Sequence, residues 1–124
     1  MPAPKKIDAD RENLEKLLSS YVQPYNISNL DVSVGNNRLV AQMNINNKHL
    51  KFIMDYNQYN QQYIHIGFYI NNKYFNLSVI GAKTYTLDDC ASQLTDLIRK
   101  IHHNNNLQGM LSLETPTKGG IFYY

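Results

Sequence analysis

Two short runs, His49-Leu50-Lys51-Phe52 and His65-Ile66-Gly67-Phe68, set histidines at matching points of two segments that alternate between apolar and other residues. Imidazoles on strands of one sheet can divide general-acid and general-base duties at a phosphate, provided both reach the reacting atoms. The strand pairing read from the sequence puts them four residue pairs apart, roughly 13 Å at the rise of a strand. That is too far for a shared scissile group or metal ion. Lys51 and Gly67 also stand two places after each histidine, where a hydroxyl residue would serve such a pair. His102-His103 offers no better site, because adjacent helical residues point about 100° apart. With Arg99 and Lys100 they read as the cationic end of a helix, complementing its dipole. Cys90 lies on an apolar helical stripe and reads as a small buried hydrophobe, its thiolate further disfavoured by Asp88 and Asp89. Gly119-Gly120 lacks the Lys-Ser/Thr that follows the glycines of a phosphate loop. Asp8, Asp10, Glu12 and Glu15 interleave with Arg11 and Lys16 and read as the solvated face of a helix. The expectation is no catalytic residue, no metal and no cofactor.

The elements that position these residues follow from periodicity. Leu14, Leu17, Leu18 and Tyr21 form a helical stripe over residues 8–22, with Asp8 and Asp10 as candidate N-caps and Pro24 beyond the end. Residues 30–80 then alternate with period two through Leu30–Val34, Leu39–Ile45, Leu50–Tyr56, Ile64–Ile70 and Phe75–Val79, which predicts five strands,. Asn36-Asn37, Asn46-Asn47 and Asn71-Asn72 separate strand-like runs, and Asn tolerates the positive φ that both central residues of a type I′ hairpin need. Such loops pair Met43 with Leu50, Ala41 with Phe52, Phe68 with Phe75 and Ile66 with Leu77, apolar against apolar. A slip of one residue would destroy that match. Residues 87–103 carry the apolar face Leu87, Cys90, Ala91, Leu94, Leu97, Ile98 and Ile101 behind Thr86 and Asp89, a capping-box pattern.

The predicted fold is α+β, in the order α-β-β-β-β-β-α. It is a two-layer sandwich in which an antiparallel meander carries an N-terminal and a C-terminal helix on one face. Residues 1–7 read as a disordered arm, 8–106 as a single domain, and 107–124, with its hairpin-like runs and aromatic end Ile121-Phe122-Tyr123-Tyr124, as a tail packing on the domain. The outline resembles that of secretion chaperones and of inhibitors carried by mobile elements, with no motif behind the likeness.

The 124 residues suit one core, and a net charge of +2 is too mild to imply a nucleic-acid partner by itself,. One cysteine excludes an internal disulfide and a cysteine-based zinc site, and points to a reducing, cytoplasmic setting,. The chain has no apolar run long enough to span a membrane, and its first residues do not read as a signal peptide,.

The outward residues of the sheet carry the functional expectation. The predicted rows are Asn44-His49-Tyr69-Tyr74, Gln42-Lys51-Gly67-Asn76, Val40-Ile53-His65-Ser78 and Arg38-Asp55-Tyr63-Ile80. Tyrosine brings large contact area, little entropy to lose and a polar tip, which suits an interface. The expected function is a small non-enzymatic protein-binding module, an adaptor, chaperone or inhibitor, using His49, Lys51, Tyr63, Tyr69 and Tyr74, with a homodimer as a further arrangement. The alternative is a single-stranded nucleic-acid platform in which Tyr63, Tyr69 and Tyr74 stack bases while Lys51, Arg38 and Lys48 follow the backbone.

Overall fold

The computed structural model describes residues 6–76 and 84–103. Helix α1 (Lys6–Ser19) leads into strands β1 (Ser28–Val34), β2 (Arg38–Ile45), β3 (Lys48–Asn57), β4 (Gln62–Ile70) and β5 (Lys73–Asn76), and helix α2 (Leu87–His103) follows. The strands form one antiparallel sheet in the order β1-β2-β3-β4-β5. This is the α+β arrangement expected. The expected terminal arm and tail, and the expected continuation of the fifth strand through Val79, fall largely or wholly outside the described residues.

Asparagine chemistry builds the hairpins. Asn36 and Asn37 have φ of 50° and 57°, Asn46 and Asn47 50° and 65°, and Asn71 and Asn72 48° and 72°. Each pair is the whole loop, closed by Gly35 and Arg38, by Ile45 and Lys48, and by Ile70 and Lys73. Among the described residues, every non-glycine position with positive φ is an asparagine except Gln61. The asparagine-rich composition, roughly one residue in eight, therefore has a conformational use in this fold.

The inner face holds the core. Ala41, Phe52, Phe68 and Phe75 make one cross-strand row. The Phe52 and Phe68 rings stack at 6.3 Å and the Phe68 and Phe75 rings at 4.9 Å between centroids, within the range of favourable offset pairs. Helix α2 lays Cys90, Leu94, Leu97, Ile98 and Ile101 against this face, all buried. Its start is a reciprocal cap: the Asp89 N–H donates to Thr86 Oγ1 at 3.1 Å, and the Thr86 N–H donates to Asp89 Oδ2 at 3.0 Å,. At its other end the Asn46 side chain donates to the His102 carbonyl at 2.8 Å, satisfying one of the acceptors a helix leaves open,.

Helix α1 departs from expectation. It starts at Lys6, so neither Asp8 nor Asp10 is its N-cap, and its buried positions are Ile7, Asp10, Leu14 and Leu18. Leu17, placed on the stripe by spacing, is 37% exposed. Asp10 is not solvated: it is 4% exposed and receives the Tyr63 hydroxyl at 2.8 Å and the Lys6 ammonium at 3.1 Å.

Candidate functional site

The face of the sheet away from the helices is the surface on which the expected binding residues converge. Strands β2 and β3 pair in the expected register, with Gln42 opposite Lys51 and Asn44 opposite His49, and β4 and β5 pair Tyr69 with Tyr74. Across β3 and β4 the register differs by two residues from the expected one. Tyr69 lies opposite Lys51, and Gly67 opposite Ile53. The rows are therefore Gln42-Lys51-Tyr69-Tyr74, then Val40-Ile53-Gly67-Asn76, then Arg38-Asp55-His65.

A β-bulge corrects one binding residue outright. His65 pairs with Asp55 but Tyr63 pairs with Tyr56, so Ile64 is the extra residue on β4. A bulge shifts the inward–outward phase of its strand by one. Tyr63 accordingly points into the core, fully buried, its hydroxyl donating to Asp10. Burial, and then that hydrogen bond, push its pKa well above the ordinary tyrosine value. The main chain of Tyr63 also exchanges hydrogen bonds of 2.7 Å with Tyr85. Tyr63 is a structural residue and is not part of the open face.

The remaining four residues stay on the open face. Tyr69 and Tyr74 are a tilted pair with centroids 5.0 Å apart, and Tyr74 is 37% exposed. The Tyr74 ring lies across Gly67, where an added Cβ would sit 2.7 Å from its Cζ atom. Glycine at 67 is thus what lets the hydroxyl end of this ring approach the β4 backbone so closely,. Lys51 stands beside Tyr69 in the same row, half-buried, with no carboxylate partner among the described residues. Arg38 is committed to Asp55 by a bond of 2.7 Å, and the carboxylate raises its pKa. His65 lies 3.9 Å from the same carboxylate.

His49 belongs to the end of this face rather than to the tyrosine row. Its Nδ1 is 3.0 Å from Asn44 Oδ1 and its Nε2 is 3.3 Å from Gln42 Oε1. Its N–H donates to Asn71 Oδ1 at 2.9 Å, and its carbonyl accepts the Asn71 N–H at 3.0 Å. Beyond it the turns of the β2–β3 and β4–β5 hairpins bound a recess of about 440 Å³, lined by Asn26, Ser28, Asn44, Asn46, Asn47, His49 and Asn71. The spacing of asparagines gave no sign of this recess, because residues of the segment 26–28, of the β2–β3 hairpin and of the β4–β5 turn, separated in the chain, form it together.

The other groups with chemical potential are engaged structurally. Cys90 is buried, and desolvation, followed by the Asp89 and Asp10 charges, pushes its thiol up to about 12. Tyr21 and Tyr25 stack at 5.6 Å, Tyr25 and His102 meet nearly at right angles with centroids 5.2 Å apart, and Arg99 donates to the Tyr21 hydroxyl at 3.3 Å. This group ties the end of α2 to the connection after α1. No cluster of metal-ligating side chains occurs among the described residues, and none of their helices is long and apolar enough to cross a membrane.

Comparison with protein-family models, curated proteins and solved structures finds no match.

Proposed function

We propose that this chain is a small, non-enzymatic protein-binding module that engages its partner through the open sheet face, as an adaptor, chaperone or inhibitor does. The observation that carries the reading is the row Gln42-Lys51-Tyr69-Tyr74, with the Tyr74 ring laid over Gly67. Two adjoining tyrosines present apolar ring surface and hydroxyl tips from rigid strands, so little order is lost on binding. Val40 and Ile53, in the next row, extend the apolar part of the patch. Lys51 adds a cation beside it and favours a partner with an acidic or carbonyl-rich rim. His49 borders the patch, already engaged by Asn44 and Gln42.

The nucleic-acid reading loses half of its support. Of the residues it needs, Tyr63 is in the core, Lys48 is 7% exposed and Arg38 is paired with Asp55. Tyr69, Tyr74 and Lys51 alone make a short platform with one cation, whereas strand-tracking surfaces use a positively charged groove.

The test replaces Tyr69 and Tyr74 together by Thr, which keeps the strand preference while removing the rings. Partner capture should be lost, with the thermal transition kept cooperative. Undiminished capture by a folded double variant would remove this face from the binding surface.

A further inference from the structure

We infer that the recess between the hairpin turns is a binding site for a neutral saccharide. Its volume of about 440 Å³ falls within the usual range of small-ligand sites, roughly 300–1,000 Å³, and suits a compact ligand of one or two rings. The lining carries no Asp, Glu, Lys or Arg. An anionic ligand would find no counter-charge there, and a hard cation no carboxylate. What the lining does carry is side-chain amide, hydroxyl and imidazole. Each amide offers two donors and a carbonyl acceptor, the complement of hydroxyls that both donate and accept.

The groups are held in place before any ligand arrives. Asn71 Oδ1 is taken by the His49 N–H and Asn44 Oδ1 faces the His49 ring, so both amides are oriented through their oxygens. Their NH₂ groups have no partner among the described residues and remain as donors. Asn46 is anchored by its bond to the His102 carbonyl, which sets the turn against the end of α2. The site is separate from the tyrosine row that carries the proposed protein contact, and it can fail or stand independently.

The experiment is an NMR titration of the full chain with the methyl glycosides of glucose, mannose, galactose and N-acetylglucosamine. Inorganic phosphate and a blocked dialanine peptide serve as contrasting probes. The expected result is saturable movement of the Asn44 and Asn71 side-chain NH₂ signals by at least one glycoside, with Kd in the range of ~1 mM. Asn44→Asp and Asn71→Asp, each checked for an unchanged fold by its backbone spectrum, should weaken that binding by about tenfold while leaving Tyr69 and Tyr74 in place. A glycan-bearing carrier protein, before and after enzymatic removal of its glycans, separates the sources: capture that depends on the glycans indicates a tethered saccharide, and glycoside binding without capture a free one. The inference is overturned if no glycoside moves these signals at ~50 mM, well above that Kd. It is equally overturned if the Asp variants bind as the parent does, or if phosphate or the dipeptide is the probe that saturates the site.

Discussion

Tyr63→Phe should destabilise the fold by about 2 kcal/mol, although it removes a single oxygen far from the proposed binding face. Tyr63 is fully buried, and its hydroxyl donates to the Asp10 carboxylate at 2.8 Å. A hydrogen bond to a charged group contributes about 1.5–3 kcal/mol, and removing the donor leaves a buried carboxylate short of a partner. Among the described residues, only Lys6, at 3.1 Å and 43% exposed, would then be left to pair with Asp10. Unfolding entropy of about 2.1 cal/mol/K per residue, over 124 residues, gives about 260 cal/mol/K. A loss of 2 kcal/mol therefore lowers Tm by about 8 °C. The assay is thermal unfolding of the parent, Tyr63→Phe, Asp10→Ala and the double variant. The two single losses should exceed the double loss by at least about 1 kcal/mol, because residues in contact couple. A Tyr63→Phe shift below about 2 °C, or strict additivity, would refute a working bond between α1 and β4.

Alkaline stability should fall early. Cys90 is pushed up to about 12 and Tyr63 is raised further, so the fold keeps both protonated while the unfolded chain releases their protons near 8.5 and 10. The raised groups stabilise fully below those unfolded values and lose that contribution as pH rises, at up to about 1.4 kcal/mol per unit for each. Denaturant titration from pH 8 to 10.5 should show the decline, and Cys90→Ala should flatten its first part. Asn47→Ala should cost about 1 kcal/mol, since φ of 65° disfavours residues with a Cβ, whereas Asn47→Gly should cost nothing measurable in the same melt. Gly67→Ala places a methyl group against the Tyr74 ring. It should weaken partner binding while shifting Tm by less than about 4 °C, because a half-exposed ring can swing aside.

The sequence was most legible where local chemistry decides structure. Three asparagine doublets gave the two-residue loops, and with them the β2–β3 and β4–β5 registers, since a loop of known length leaves no freedom in the pairing. The Thr86–Asp89 cap and the apolar stripe of α2 were equally local. The β3–β4 register was not legible because the connection around residues 57–61 closes through Asn57 and Asn60 side-chain turns and a positive φ at Gln61. The bulge at Ile64 left no mark, as an isoleucine beside an amphipathic tyrosine fits either phase of a strand. Tyr63 was therefore placed with Tyr69 and Tyr74 when its partner is Asp10. A signal did exist in α1, where Asp10 falls on the stripe of Ile7, Leu14 and Leu18. An acid on an apolar stripe calls for a buried donor, and pairing it with a tyrosine would have moved Tyr63 inward.

The most direct measurement is affinity capture from source-cell lysate with the tagged parent and the folded Tyr69→Thr/Tyr74→Thr variant side by side, each with and without nuclease. The account predicts a defined protein partner that survives nuclease and is absent from the variant. Partners retained equally by the variant, or partners that vanish with nuclease, would contradict it.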